Sequence, residues 1–419
     1  MAKRKTISLP GLHDLDIQDI LPLVNLPQVQ RLRGLKQLGP SFVFIGSNHT
    51  RFDHSLYTYA IAKERVQRWR QDESITQEEG RTLELYALLH DIGHSAYSHA
   101  IENLCEKDHN EHGLELLHTM ESEIKLCGGN IQLLLGLMSH RNPLHACVSD
   151  RPLGADKLAY LLLDARNTTE QLGIGTGALL NHVSYTGTGL AIDTTIVPQT
   201  LALWQAYVSM YTQVYCRKAS LIFQRFLEQI VDYAIRAGSV QQNELQELDD
   251  SGLDAVLASS KDAQVCAMFK NFKERKMPKS AIEIRPAEVD PLLRSNGKPV
   301  YVHSMPLNDF ARLPQLEQSA HARTWEWKIA NILGIPDDQV LIVPPVPMSR
   351  FLPNDVPIID DGNTAKGMLQ SKRPQHYAAL IESITAATAL RVCVFEQHRA
   401  LAATPKHAAT IIAHLLRSS

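Results

Sequence analysis

The chain has 419 residues, which is enough for two or three domains and a large buried core. Hydrophobic residues make up 44% and charged residues 21%, which excludes a disordered or low-complexity protein. Because 42 Lys and Arg residues stand against 45 Asp and Glu residues, the net charge is −3, and the overall basic character of a nucleic-acid-binding protein is missing.

The six cysteines form no CxxC pair, and a chain of this size does not need disulfide bonds for stability. We therefore expect reduced thiols and a cytoplasmic protein. Residues 1–12 include three basic residues but no apolar stretch, and no run of about 18 apolar residues occurs in the chain. The sequence thus predicts neither secretion nor a membrane span.

Hydrophobic periodicity predicts helices from about residue 18 to 290, separated by short polar breaks. A long amphipathic helix is predicted over residues 209–234. Glycines between 173 and 189 predict a loop.

Beyond about residue 286 the pattern changes to short β-rich runs that alternate with helices. Strands are predicted at 299–302, 339–343 and 390–395, and helices at 325–333 and 374–388. We therefore predict a mainly α fold, with a helical body over residues 1–285 and a smaller α+β part over residues 286–419.

Histidines are concentrated in one part of the chain. Ten of the 18 fall between residues 49 and 145, where even spacing would place about four. Histidine is the commonest metal-binding side chain and the usual proton carrier near neutral pH, so chemistry is expected in this segment first.

Three predicted helices carry residue types that bind metal ions. His54 lies near the start of one helix, His90 and Asp91 lie at the end of a second, and Asp156 begins a third. Two imidazoles and two carboxylates can converge on one ion, and such mixed ligands suit Mn, Fe, Ni, Co or Mg. A lone His-Asp pair is more often only a helix end, so the interpretation depends on the combination.

Three motifs follow one another in the N-terminal third: Pro27–Arg33 with Lys36–Gly39, then Asn48–Leu56, then Leu88–His99. Together with later positions, these motifs resemble those of the HD-domain deoxynucleoside triphosphate triphosphohydrolases. The later positions are Asp156–Lys157, Tyr160, Asp164, Met210–Tyr211, Val214–Tyr215, Arg217 and, more weakly, Leu390–Val392. The resemblance implies that the helical body is an HD domain.

The resemblance also implies a metal site and a reaction. One divalent ion, with Mn, Fe, Mg, Co or Ni as candidates, would be held by His54, His90, Asp91 and Asp156. The implied reaction cleaves a deoxynucleoside triphosphate at the α-phosphorus and releases deoxynucleoside and intact triphosphate, with a metal-activated water as the nucleophile.

The leaving 5′-oxygen needs a proton, and His99 is our candidate general acid, with Glu102 placed three residues later to orient its ring. His94 and His109 match family positions that face the phosphates. For His109 and His112, the alternative is a pair of solvated loop histidines.

Substrate binding requires fixed cations, because the three phosphates carry several negative charges. Arg51, Lys157 and Arg217 stand where the family has such cations, and a solvated helix surface is the alternative for Arg51 and Arg217.

The resemblance assigns further residues to the sugar. Gln37 and Asp164 match contacts to the 3′-hydroxyl, and Tyr160 matches a ring at the sugar edge, where a ribose 2′-hydroxyl would clash. Asp156, Tyr160 and Asp164 are four residues apart and share one helix face. A plain core position is the alternative for Tyr160.

The segment with Asn25, Gln30 and Arg33 resembles a regulatory site for an activating guanine nucleotide, built between subunits. The family has Asp where this chain has Asn25, so we expect weak or absent guanine selectivity. A homo-oligomer, as a dimer or a dimer of dimers, is the expected assembly.

Two other classes of function remain open. A phosphohydrolase acting on another nucleotide or phosphate ester would keep the metal ligands and change the residues that match sugar contacts. A nonenzymatic nucleotide sensor or nucleic-acid-binding module would have broken metal ligands or a strong basic stripe.

The expected partners are a dNTP substrate and a nucleotide activator. The sequence indicates neither a membrane nor a nucleic acid as a partner.

Overall fold

The first two thirds of the chain fold mainly as helices. The computed structural model describes residues 5–10, 12, 14–40, 43–168, 172–287, 298–313, 319–360 and 364–417. The helices of this part are α1 (Leu21–Val24), α2 (Pro27–Arg31), α3 (Arg51–Gln71), α4 (Gln77–Leu89), α5 (His109–Thr119), α6 (Glu121–Leu126), α7 (Ile131–Met138), α8 (Ala146–Ser149), α9 (Ala155–Thr168), α10 (Thr176–Asn181), α11 (Val197–Met210), α12 (Lys218–Arg236), α13 (Asp250–Ala258) and α14 (Ala263–Lys273).

The last third combines shorter helices with strands. Its helices are α15 (Leu307–Phe310), α16 (Ser319–Leu333), α17 (Met348–Phe351), α18 (Leu369–Lys372), α19 (Pro374–Ala387), α20 (Glu396–Ala402) and α21 (Pro405–Arg417). The strands of the whole chain are β1 (Thr6–Ile7), β2 (Leu15–Asp16), β3 (Val183–Tyr185), β4 (Leu190–Asp193), β5 (Lys279–Pro286), β6 (Tyr301–Met305), β7 (Val340–Val343), β8 (Pro357–Ile359), β9 (Ala365–Met368) and β10 (Leu390–Val394). The predicted mainly α class with a smaller α+β part is confirmed.

Helix α3 is the centre of the helical body. It begins with a capping box, in which the Thr50 side chain accepts from the Asp53 amide and the Asp53 carboxylate accepts from the Thr50 amide. It packs against both α4 and α9, and most of its residues are buried. Helix α3 therefore lies between the two other helices that were predicted to carry metal ligands.

Two four-stranded mixed sheets complete the fold. In one, β5 lies between β6, which runs parallel to it, and β10, which runs antiparallel and also pairs with β7. In the other, the β3–β4 hairpin is extended by β8, parallel to β4, and by β9. The second sheet joins strands from both sides of residue 285, and the boundary there stays a prediction.

Three apolar cores support these layers. The largest core fills the space between α3, α4, α7, α9 and α11. A second joins α12, α13 and α14 to residues 96–104, and a third lies between α16, α21 and the sheet of β5. All six cysteines are free, and among the described helices none is long and apolar enough to cross a membrane.

The predicted continuous helix over 209–234 is wrong. Helix α11 ends at Met210, a π-helical turn follows over Tyr211–Tyr215, and α12 begins at Lys218 after Arg217 in an extended conformation. The break could not be read from periodicity, because the apolar residues on both sides keep a helical spacing. Such π-turns are frequent at functional sites.

Further elements differ from the sequence prediction, among them β4, which falls where helices were predicted. Strand β5 falls where helices were predicted, although its residues 282–285 (Ile-Glu-Ile-Arg) alternate between apolar and polar side chains as a strand does. The predicted loop over 173–189 contains α10 and β3. Both ends of this segment lie outside helices and strands, over residues 173–175 and 186–189, and in the second the Thr186 amide donates to the Gly189 carbonyl oxygen.

Candidate active site

Four predicted metal ligands converge where α3, α4 and α9 meet. The Nε2 atoms of His54 and His90 lie 3.3 Å apart. Oδ1 of Asp156 lies 3.1 Å from the His54 Nε2 atom and 3.7 Å from that of His90. Asp91 approaches the same two nitrogens at 3.5 and 3.4 Å through its two carboxylate oxygens. We call these four residues the metal cluster.

The donors of the metal cluster fit a divalent cation. His90 contacts the Ala87 carbonyl oxygen through Nδ1 at 2.9 Å. A hydrogen bond of this kind, in which Nδ1 donates, leaves a lone pair on Nε2 for a metal ion. Three of the residues, His54, His90 and Asp156, can each direct one ligand atom to a common point. Two imidazole nitrogens with carboxylate oxygens form a ligand set for Mn, Fe, Co, Ni or Mg.

The carboxylates of the metal cluster remain charged in spite of burial. Burial raises the pKa of Asp91, but the neighbouring charges of Arg51 and His90 outweigh it and hold this pKa well below its usual value. For Asp156, Lys157 and the hydrogen bond with His54 outweigh burial in the same way and lower the pKa. Both groups are therefore ready to bind a cation near neutral pH.

A second group of ligand-type side chains lies beside the first. We call His94, His99, Glu102 and His109 the acid cluster. Glu102 contacts the Nδ1 atoms of both His99, at 2.7 Å, and His109. Burial raises the pKa of Glu102, but hydrogen bonds with His109 and His99 outweigh it and hold the pKa far below its usual value.

Local geometry places the three histidine rings of the acid cluster together. Gly93 lies so close to the start of α5 that a Cβ atom would be only 2.0 Å from the His109 carbonyl oxygen. The ring of His109 consequently stacks on that of His94, with centroids 4.1 Å apart. His99 is 64% exposed and lies edge-on to His94. The alternative of solvated loop histidines is wrong for His112, which is buried and contacts the Gly93 carbonyl oxygen.

The predicted phosphate-binding cations differ in their surroundings. Arg51 is buried, and its guanidinium donates to Asp91 and, at 2.8 Å, to the Ser98 hydroxyl. Lys157 lies at the edge of the metal cluster, 2.7 Å from Asp156. Arg217 is exposed and lies over the ring of Phe44. Their role toward phosphate stays a prediction, and a solvated surface position is wrong for Arg51.

The residues matched to the sugar lie along α9 and the segment before α3. Oε1 of Gln37 is buried and has no hydrogen-bond partner among the described residues. The two carboxylate oxygens of Asp164 contact His49 Nε2 at 2.8 Å and the Tyr215 hydroxyl at 2.7 Å. The ring of Tyr160 lies edge-on to that of Tyr215, and the Lys157 ammonium lies 5.3 Å from its centroid.

Sequence reasoning missed how Asp164 is held. His49 is one of the clustered histidines but has no predicted role, and Tyr215 lies on the helix predicted over 209–234. Burial and Asp164 both raise the pKa of Tyr215, so its hydroxyl remains a donor. The pairs are 115 and 51 residues apart in the chain, and no local pattern signals them.

The segment matched to a regulatory nucleotide is part of the α1–α2 region. Arg33 donates to the Gln30 side-chain oxygen at 2.9 Å, and its guanidinium lies 3.7 Å from the ring centroid of Phe52. Asn25 is exposed after α1. Gln30 and Arg33 are thus linked, and nucleotide binding there stays a prediction.

Comparison with known families agrees with this geometry. Residues 51–162 match the HD domain, and residues 174–301 match the HD-associated region. The HD match begins at α3 and includes every residue of the metal and acid clusters. The chain thus contains an HD domain followed by an HD-associated region.

Several relatives cover part of the chain. The uncharacterized protein MJ1154 of Methanocaldococcus jannaschii is 26% identical over 65% of this chain and 58% of its own length. The uncharacterized protein YwfO of Bacillus subtilis is 32% identical over 41% of this chain and 42% of its own length. The deoxynucleoside triphosphate triphosphohydrolase SAMHD1 homolog of Dictyostelium discoideum is 38% identical over 20% of this chain and 17% of its own. The chain therefore spans about half the length of the first two relatives.

A solved structure has a similar fold. The phosphohydrolase BT4208 of Bacteroides thetaiotaomicron superposes with a TM-score of 0.69 at 21% identity, and the match covers 94% of this chain and 100% of that chain. This likeness supports the fold described above.

Proposed function

We propose that this chain is a metal-dependent phosphohydrolase that converts deoxynucleoside triphosphates into deoxynucleoside and triphosphate. The observation that carries the proposal is the direct contact between a metal cluster and an acid cluster. His94 forms this contact, because its Nε2 atom lies 3.3 Å from Oδ1 of Asp91. Metal-assisted hydrolysis needs both parts, a site that activates water and a group that protonates the leaving oxygen.

The residues of the site divide the work in this proposal. When bound, the divalent ion polarises a phosphate oxygen and lowers the pKa of water. His54, His90, Asp91 and Asp156 hold that ion. Lys157 supplies positive charge beside it for the phosphate chain.

The acid cluster serves the leaving group. Attack at the α-phosphorus breaks its bond to the 5′-oxygen, and this oxygen then takes a proton from His99. Desolvation lowers the pKa of His99, and Glu102, by accepting from its Nδ1 atom, opposes this effect and favours the protonated ring. Burial, Arg51 and His109 lower the pKa of His94, which keeps this neighbour neutral.

The residues along α9 and before α3 support a preference for deoxynucleotides. Asp164 is fixed by His49 and Tyr215, and the buried Oε1 atom of Gln37 is available to a ligand. A fixed carboxylate and a free amide oxygen are suited to a sugar hydroxyl. The partial similarity to the Dictyostelium triphosphohydrolase supports the same substrate class.

The function is tested by incubating metal-free protein with each dNTP and the matching rNTP, after addition of Mn, Fe, Mg, Co or Ni. We expect deoxynucleoside and triphosphate only with metal present, and faster turnover of the dNTP of each pair. Pyrophosphate with a nucleoside monophosphate, or activity confined to another phosphate ester, would instead favour a phosphohydrolase that acts on another nucleotide or phosphate ester. Nucleotide binding without any turnover would favour a sensor.

Regulation and assembly are a further part of the proposal. A nucleotide bound at Asn25, Gln30 and Arg33 would favour a homo-oligomer if it contacts two chains. Asn25 lacks the negative charge that an Asp would offer to the N–H donors of guanine, so GTP and other nucleotides should act alike. Light scattering with and without GTP or dNTPs tests this, and a fully active monomer under every condition would contradict it.

A further inference from the structure

A strained turn directly precedes the proposed general acid. Tyr97 and Ser98 both adopt left-handed backbone conformations, with φ of 53° and 56°. Two successive residues with side chains rarely adopt this conformation, which persists only where the surroundings hold it in place. Because His99 is the next residue, whatever holds the turn also sets the position of His99.

The HD-associated region holds this turn. Oδ1 of Asp250, at the start of α13, accepts from the Tyr97 amide at 2.7 Å. The Tyr97 hydroxyl donates to Asp254, one turn further along α13, at 2.8 Å. Arg31 adds a bridge, because its guanidinium donates both to the His94 carbonyl oxygen and to that of Leu248, just before α13.

The same carboxylate also fixes the segment that carries Gln37. Oδ2 of Asp250 accepts from the Lys36 amide at 3.1 Å, and the Lys36 carbonyl oxygen accepts from the Ser98 hydroxyl at 3.2 Å. Gly39, which follows, is itself at φ 57°, where a Cβ atom would lie 2.9 Å from the Tyr97 carbonyl oxygen. One buried side chain thus joins two segments that line the site.

Asp250 does not serve its own helix. The cap of α13 is supplied by Asp249, whose side chain accepts from the Gly252 amide. Asp250 is only 7% exposed, and burial of a carboxylate is costly unless its hydrogen bonds compensate. Its two oxygens accept from the amides of Tyr97 and Lys36, outside its own helix.

We propose that Asp250 is a positioning residue, which holds the Tyr97–Ser98 turn and the Lys36–Gln37 segment in register and thereby sets the position of His99 relative to the metal cluster. This inference rests on the proposed function for its kinetic consequence, but the hold on the turn can be measured without a substrate. It also gives the HD-associated region a role in the chemistry of the HD domain.

The test compares Asp250→Ala and Asp250→Asn with the control Asp262→Ala. Asp262 is the cap of α14 and accepts from the Gln264 and Val265 amides, so its loss weakens a helix end without touching the turn. Amide hydrogen exchange, metal content, kcat and KM are measured on the full chain.

In Asp250→Ala we expect the Tyr97 and Lys36 amides to exchange at least about tenfold faster, with metal content unchanged. Turnover should fall by about 10²-fold, as a displacement near 1 Å can cause, while KM changes little. Asp250→Asn keeps one acceptor oxygen and should lie between Asp250→Ala and wild type. Asp262→Ala should leave both amides and kcat unchanged.

Unchanged exchange at Tyr97 and Lys36 in Asp250→Ala would overturn the inference. The inference would also be overturned if Asp262→Ala showed the same faster exchange at the Tyr97 and Lys36 amides and the same fall in kcat. The effect would then be general destabilisation. If wild-type protein turns over no nucleotide, the proposed function fails, while the exchange rates of the two amides still decide whether Asp250 holds the turn.

Discussion

The Nε2 atom of His94 lies 3.3 Å from Oδ1 of Asp91, and the ring of His94 stacks on that of His109. Through this imidazole, the metal cluster contacts the acid cluster. A substrate phosphate held at the metal cluster would therefore lie beside the acid cluster.

Loss of a metal ligand should remove the ion. For the double variant His90→Ala with Asp91→Ala, we expect a fall in affinity for divalent metal of more than about 10²-fold, beyond the effect of losing an outer partner. Elemental analysis after dialysis measures the bound metal, and His118→Ala, at an exposed position, is the matched control. Full metal content in the double variant would place the metal site elsewhere.

His99→Ala should separate catalysis from metal binding. We expect turnover to fall by about 10²-fold or more with metal content near normal, because a general acid contributes about this much. Glu102→Gln should show a smaller fall, since the ring of His99 remains but loses its charged partner. Parallel losses of metal and activity would show instead that His99 is a ligand or a structural residue.

Asp164 and its partners should control the choice of sugar. Asp164→Asn should lower kcat/KM for dNTPs and reduce the preference over rNTPs, and Tyr215→Phe should have a weaker effect in the same direction. A hydrogen bond to a charged group contributes about 1.5–3 kcal/mol, which corresponds to about 10- to 10²-fold. Tyr185→Phe, which removes a hydroxyl that donates to Gly187 outside the site, is the control. Unchanged selectivity in Asp164→Asn would leave Asp164 with a structural role only.

Asp250 should give the chain a pH-dependent stability between about pH 4 and 6. Burial is the main cause that raises its pKa to about 6, against the opposing effect of the Tyr97 and Lys36 amides. In the unfolded chain the pKa is about 3.9, so the folded state binds the proton more tightly. The contribution of Asp250 to the free energy of unfolding is therefore greatest below pH 4 and decreases by about 3 kcal/mol as the pH rises through 6.

Urea unfolding of wild type and Asp250→Asn at several pH values measures this effect. The stability of the variant relative to wild type should increase from pH 4.5 to 7 by about 2 kcal/mol, because Asn does not ionise. Parallel stability curves for the two proteins would contradict the raised pKa.

The local parts of this molecule could be predicted from its sequence. His54, His90, Asp91 and Asp156 each stand at the helix position that the sequence indicated, because capping residues and apolar spacing act over a few residues. The contact between His99 and Glu102 was also expected from a spacing of three residues.

The distant pairings could not be predicted. His49 meets Asp164 across 115 residues, and Tyr97 meets Asp250 across 153. The π-turn that directs Tyr215 toward Asp164 interrupts a helix whose apolar period continues on both sides. Such contacts depend on how the helices pack against one another. No local pattern in a single sequence indicates that packing.

The most direct test of the account is hydrolysis of a dNTP in ¹⁸O-labelled water, with mass analysis of both products. Metal-activated attack at the α-phosphorus predicts one ¹⁸O atom in the triphosphate and an unlabelled deoxynucleoside, because the bond between phosphorus and the 5′-oxygen is the one that breaks. Label in the deoxynucleoside, or pyrophosphate and monophosphate as products, would contradict it.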